Sequence, residues 1–290
     1  MLVIRYAVAG EPLLGVQVDG VVRRFPDAEL AALLRLPAAA FRAEVERVAT
    51  RGPVEDREFR LLPPVDGRTE VWAAGVTYER SSEARQEESV VADVYSRVYD
   101  ADRPELFFKS VAWRVVGPGE PVGIRADSEI DVPEPEVALV VNAGGEIVGY
   151  TVCDDVSSRS IEGENPLYLP QAKVYAGCCA LGPGIRPFWE VPDPYALGVR
   201  AEVVRGGEPV WDGATSTKML HRRFDDLVGY LGRHLGLPDG AVLSTGTGIV
   251  PGLDFTLVVG DTVSVTVDGI GTLSNPVIAA DPAAFAWQHG

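Results

Sequence analysis

Cysteine is scarce in this 290-residue chain: Cys153, Cys178 and Cys179 are the whole supply. They make no disulfide framework and no Cys-x-x-Cys zinc spacing, and adjacent Cys178 and Cys179 read as core filler. Histidine is equally rare, with only His221, His234 and His289 far apart in sequence, so a zinc hydrolase is a weak reading. Positive charge is in deficit. Lys and Arg number 26 against 42 Asp and Glu, a formal net charge of -16, which argues against a nucleic-acid partner. No uninterrupted apolar run approaches ~18 residues, and "MLVIRYAVAGEPLLGVQVDG" lacks the apolar stretch of a signal peptide. The expectation is a soluble, cytoplasmic protein with no membrane partner.

What is present is an ordinary globular composition, 46% hydrophobic and 23% charged, in a chain long enough to bury a sizeable core. Residues 2–25 read as short strands punctuated by Gly10, Gly15 and Gly20. Residues 27–50 read as helical, with Asp27 as cap and Pro37 as interruption. Together they outline a small N-terminal α/β module, 1–65. Residues 66–290 are strand-rich. They include a polar helix over 79–99, a hairpin around Gly206-Gly207 and one helix within 215–236. The fold class is α+β, mostly β.

The stretch "DVPEPEVALVV" carries two acids, Glu134 and Glu136, into a strongly apolar strand. Residues two apart on a strand share a face, and Pro133 and Pro135 favour extended backbone. Gly144-Gly145 can form a two-residue turn that returns "EIVGYTVCDD" antiparallel. Paired positions then sum to 289, which sets Glu134 opposite Asp155 on the face that also holds Glu136. A three-residue loop would bring in Asp154 instead. Three carboxylates on one face repel unless a positive group sits among them. A hard divalent cation satisfies such an all-oxygen set: Mg²⁺, or alternatively Mn²⁺ or Ca²⁺. Solvated acids with arginine partners are the other reading of the same spacing.

At these residues the chain resembles the fumarylacetoacetate hydrolase family. "PEPEVALVV", "GEIVGYTVCDDVSSRS", "LSTGTGIVPG" and "GDTVSVTVDGIGTLSNPV" carry the likeness, which runs from about Val71 to Val277. The resemblance implies a mixed β-sandwich or β-roll catalytic domain, a divalent metal on Glu134, Glu136 and Asp155, and a homodimer or higher homo-oligomer. "PELFFK" and "ENPLYLPQAKVYAGCCALGPGI" are most similar to the branch that dehydrates 2-keto-3-deoxy sugar acids. By that resemblance Lys173 and Glu105 are active-site residues, the partner is a small 2-oxo sugar acid, and the product is 2,5-dioxopentanoate.

One departure is informative. Many family members carry a histidine followed closely by glutamate to activate water. Here "GVTYERSSE", Gly75 to Glu83, places Ser81 at the histidine position. Serine is a poor general base unless a neighbour takes its proton. This lowers the weight of hydrolysis and favours a lyase, with a family hydrolase, isomerase or decarboxylase on acylpyruvate-like acids as the alternatives. A non-catalytic scaffold is the reading from a different class. Candidate substrate contacts are Arg80 and Ser81 at a helix start, Lys109 two residues beyond Phe107, and Thr245 and Thr247 flanking Gly246. Phe107 and Phe108 read as core rather than as a substrate wall.

Overall fold

The computed structural model describes residues 1–88 and 97–285. In chain order the N-terminal part is β1 (Leu2–Val8), β2 (Glu11–Val18), β3 (Val21–Arg24), α1 (Leu30–Leu34), α2 (Ala38–Arg51), β4 (Val54–Glu55) and β5 (Arg60–Leu62). There follow β6 (Glu70–Gly75), α3 (Glu79–Glu88), β7 (Glu105–Val111), β8 (Val122–Ile124), β9 (Asp131–Val132), β10 (Pro135–Val141), β11 (Ile147–Asp155) and β12 (Ser157–Ser158). The chain continues through α4 (Arg159–Glu164), α5 (Leu169–Lys173), β13 (Cys179–Pro187), β14 (Gly198–Arg205), β15 (Glu208–Ser216), α6 (Phe224–Leu231), β16 (Ala241–Ser244), β17 (Thr262–Val267) and β18 (Gly271–Ala279). The mostly-β α+β fold read from the sequence is the one found. Of the helix expected over 79–99, Glu79–Glu88 is helical, and residues 89–96 lie outside the described residues.

The larger sheet runs β4-β3-β2-β1-β13-β11-β10-β16-β6-β7, with β5 on β1. A second sheet, β15-β14-β17-β18-β8, packs against its middle. Its hairpin turns at Gly206-Gly207, where both residues have positive φ and Arg205 faces Glu208, as the paired glycines require. β14 and β17 alternate buried positions with exposed or half-buried ones because one face packs on the core. β10 is buried at every position because both of its faces are covered. Val137, Leu139 and Val141 point into the core shared with Val199, Val203 and Val265 of the second sheet. Ala138 and Val140 point the other way, into a core with Phe41, Val45 and Val48 of α2. Each fully buried leucine or valine contributes about 2 kcal/mol.

The sheet crosses the position near residue 65 where the sequence places a module boundary. Val3 of β1 pairs with Ile185 of β13, and the core under α2 takes residues from both sides. Asp27 has φ 48° and does not cap α1. The first amides of that helix, Leu30 and Ala31, donate instead to Asp66 at 2.9 and 2.7 Å. Asp239, deep in the second half, accepts Arg35 at 2.8 Å and the Arg68 amide at 2.9 Å.

Candidate active site

The acidic hairpin forms by a different route from the two-residue turn that the glycine pair suggests. Asn142 and Glu146 close a three-residue loop, with Gly145 at φ 80°. That loop alone would bring Asp154 opposite Glu134. A bulge where Val140 and Val141 meet Gly149 and Ile147 inserts one residue into β11 and restores the sum of 289. Glu136 therefore faces Cys153, and the Asp155 amide donates to the Glu134 carbonyl at 3.0 Å. Asp154 turns to the opposite face, where its Oδ1 accepts the Glu134 amide at 3.0 Å.

Glu134, Glu136 and Asp155 each offer a carboxylate oxygen, all within 4.8 Å of one another. Glu136 and Asp155 are each 1% exposed. Burial, then the charges of Asp155 and Glu134, push the Glu136 carboxyl well above its ordinary range. Its Oε2 accepts two hydrogen bonds, from Ser244 Oγ at 2.5 Å and from the Gly246 amide at 2.6 Å. Three carboxylates without nitrogen or sulfur, two of them out of water, fit a hard divalent cation.

Two buried lysines answer this negative charge. Lys173, at the C-terminal end of α5, places Nζ 2.7 Å from Glu134 Oε2 and 3.5 Å from Asp155 Oδ2. It also donates to Ser157 Oγ at 2.5 Å, while the Ser157 hydroxyl donates to the Asp155 carbonyl at 2.8 Å. Lysine is ordinarily an exposed residue, yet Lys173 is 1% exposed. Lys109 is fully buried. It forms an ion pair with Asp155 Oδ1 and donates to the Lys173 and Val156 carbonyls at 2.7 and 3.1 Å. Burial opposes its charge, but Asp155 overcomes that and raises its pKa above the ordinary lysine value.

A cavity of about 550 Å³, counting the space at its mouth, opens over the acids. Glu134, Glu136 and Lys173 form its polar floor, and Glu105 and Ser81 stand on its wall. Glu105 lies so close to Gly75 that a Cβ there would sit 2.1 Å from its carboxylate oxygen. Ser81 donates to the Tyr78 carbonyl at 2.7 Å and accepts the Tyr78 amide at 3.1 Å, so its hydroxyl serves the helix start. Thr247 lines the cavity and ties its own hydroxyl to the Pro135 carbonyl at 3.0 Å.

Three expected substrate contacts are placed elsewhere. Thr245 is buried beside the cavity and donates to the Val137 carbonyl at 2.7 Å. Lys109 lies behind Asp155 rather than on the lining, because β7 carries its side chain into the interior. Arg80 is 42% exposed, pairs with Glu83 at 3.4 Å and is not on the lining.

The cavity also holds residues that sequence reasoning passed over. Arg159 and Glu162, 4% and 3% exposed, both line it from α4. Arg159 Nη1 donates to the Pro251 carbonyl and fixes the loop after β16. Their three-residue spacing, which puts both on one helix face a few residues after Asp155, was the available signal. Phe107, read as core from sequence, lines the cavity, and Lys173 Nζ lies 5.5 Å from its ring centroid.

The chain is similar to known proteins along most of its length. The family described as "Fumarylacetoacetate (FAA) hydrolase C-terminal" matches residues 70–278. A protein of Haloferax volcanii named "Probable 2-keto-3-deoxyxylonate dehydratase" is 50% identical over 263 residues, 89% of each chain. The "2-dehydro-3-deoxy-D-arabinonate dehydratase" of Saccharolobus solfataricus is 46% identical over 224 residues, 76% of this chain and 75% of that one. A solved structure of 2-keto-3-deoxy-D-arabinonate dehydratase, complexed with magnesium and 2,5-dioxopentanoate, superimposes with a TM-score of 0.84 at 36% identity. It covers 96% of this chain and 99% of that one. The match over residues 70–278, the shared fold and the identity to these relatives agree: the chain belongs to the fumarylacetoacetate hydrolase family.

Proposed function

We propose that this chain is a hydro-lyase that removes water from a 2-keto-3-deoxy pentonate and releases 2,5-dioxopentanoate. Glu134, Glu136 and Asp155 would hold the divalent cation. Bound there, it supplies Lewis acidity to a 2-oxo acid and makes the C3 protons acidic.

The chain's own groups do the rest. In its neutral form Lys173, fixed by Ser157 and Glu134, takes a proton from C3, carries it through the loss of water and returns it to carbon in the tautomerisation that follows. Glu105, on the facing wall, donates a proton to the C4 hydroxyl as it leaves as water. The enol of the resulting unsaturated acid tautomerises to the C5 aldehyde, so one water is the only other product. Phe107 and Ile249 give the cavity apolar sides that keep bulk water from the reacting carbons.

The observation that carries the reading is that Lys173 and Glu105 line the same cavity as Glu134 and Glu136, with Asp155 buried directly beside those two acids. The relatives named as dehydratases support it. Ser81 adds weight against water activation, because its hydroxyl proton is already given to Tyr78. No histidine lines the cavity among the described residues.

The test is incubation of the enzyme and Mg²⁺ with arabino- and xylo-configured 2-keto-3-deoxy pentonates, following 2,5-dioxopentanoate by NMR. Semialdehyde formation abolished by EDTA and restored by Mg²⁺ is the expected result. Cleavage of acylpyruvates with no dehydration of either pentonate would remove the assignment.

A further inference from the structure

Each carboxylate of the acidic triad has a buried support, and that of Glu136 is unlike the others. Asp155 and Glu134 are met by lysines. Glu136 is met by two neutral donors, the Ser244 hydroxyl and the Gly246 amide, and both reach the same oxygen, Oε2. The donors are built into the fold. Ser244 ends β16, is fully buried, and lies two residues before a backbone turn that carries the Gly246 amide beneath the carboxylate. Gly246 has φ 89°, and a Cβ there would sit 2.0 Å from Thr77 Oγ1 and 2.9 Å from the Ala74 carbonyl oxygen. Only glycine places an amide at that point.

A carboxylate oxygen that accepts two short hydrogen bonds has spent its outward lone pairs. A cation approaching Glu136 meets Oε1 without competition and Oε2 only by displacing Ser244 or Gly246. We infer that Ser244 and the Gly246 amide restrict Glu136 to one-oxygen ligation and thereby make the site select Mg²⁺ over Ca²⁺. The inference rests on reading Glu136 as a metal ligand. The chemistry follows from ion size. Mg²⁺ requires compact octahedral geometry that one oxygen per carboxylate serves well, whereas the larger Ca²⁺ accommodates six to eight oxygens and readily takes both from one carboxylate. Ser244 is therefore a positioning residue for the metal centre. Removing its hydroxyl frees Oε2 to rotate or to join the ligand set.

Titration calorimetry of EDTA-stripped protein with MgCl₂ and with CaCl₂ tests this without any turnover. Ser244→Ala is expected to weaken Mg²⁺ binding by about tenfold or more, the usual effect of losing an outer-sphere partner. Ca²⁺ binding should weaken far less or tighten, so that the ratio of the two dissociation constants shifts by at least about threefold toward Ca²⁺. Ser244→Cys, close in size and a weak donor, should fall between, and it carries the test if the alanine variant does not fold. Equal weakening for both ions, or no change for either, overturns the inference. Glu136→Gln separates the two levels. If it loses Mg²⁺ binding while both Ser244 variants match the parent, only the selectivity role fails. If Glu136→Gln binds Mg²⁺ unchanged, the assignment of Glu136 as a ligand fails with it.

Discussion

Lys109→Met is the sharpest perturbation of the buried charge cluster. Lys109 has no exposed surface, and its ammonium holds Asp155 while bonding two backbone carbonyls. Methionine matches its length and keeps most of the packing. The change leaves the Asp155 carboxylate in low dielectric with only Lys173, at 3.5 Å, in partial compensation. Breaking a buried ion pair by removing one partner costs about 3–5 kcal/mol. The Val156 and Lys173 carbonyls also lose a donor, while the remaining lysine offsets part of the charge, so about 4 kcal/mol is the working figure. At about 2.1 cal/mol/K per residue, unfolding 290 residues carries an entropy near 0.6 kcal/mol/K, and Tm falls by roughly 7 °C. A divalent cation at the triad opposes the same excess of negative charge. The Tm gain on adding Mg²⁺ should therefore be larger for Lys109→Met than for the parent. Differential scanning calorimetry with EDTA and with 10 mM MgCl₂, about the concentration needed for saturation of a typical site, reads both quantities. A variant within 1 °C of the parent in EDTA (roughly 0.6 kcal/mol) would refute the buried-pair argument. An Mg²⁺ gain no larger than the parent's would refute the charge argument.

Three further outcomes follow from the geometry. Lys173→Met should lower kcat by about 10²–10⁴-fold while calorimetry still detects Mg²⁺ binding; loss of binding with equal loss of folding would instead make Lys173 structural. Gly246→Ala forces a positive φ on alanine and drives its Cβ into Thr77, at a combined cost of about 3 kcal/mol or more in urea unfolding, and a loss under 1 kcal/mol (roughly the error of such a comparison) would contradict the close approach. Asp131 is buried, and burial raises its pKa from 3.8 to about 6. The folded state thus prefers the protonated acid, so its contribution is fully present below the ordinary range and is lost as pH rises through about 6, by about 3 kcal/mol in all. Asp131→Asn should flatten the stability profile between about pH 3.5 and 6.5 by most of that amount, and a variant whose profile parallels the parent's would refute it.

The acidic triad was legible because strand periodicity depends on nothing beyond neighbours: Glu134 and Glu136 share a face in any extended segment. The register was reached through a turn that does not form. Asn142 side-chain bonds to the Gly144 and Glu146 amides select the longer loop, and the bulge in β11 cancels the slip. Those two local choices trade off only within the packed hairpin. Lys109 reads from sequence as a substrate contact because it shares a strand face with Phe107, while the anionic Asp155 that draws it inward arrives from a distant strand. The spacing of Arg159 and Glu162 marks a shared helix face, but the bond of Arg159 to the Pro251 carbonyl depends on the path of the loop after β16, which no short motif encodes. Ser244 carries no signal of its own in the sequence, because its hydroxyl gains a role only from the Glu136 carboxylate that the fold sets beside it.

The pairing of β1 with β13 bears on how this chain can be dissected. Deleting the first 65 residues would strip β13 of its outer neighbour around Ile185 and leave that half of its hydrogen-bonding edge bare, while Val116 still bridges the Cys179–Leu181 end. It would also lay open the apolar surface that α2 covers on Ala138 and Val140. Long unprotected edges flanked by apolar side chains recruit other chains. A fragment trimmed at the start of the family match should therefore go into inclusion bodies, and any working miniature of this enzyme has to keep its N-terminal strands.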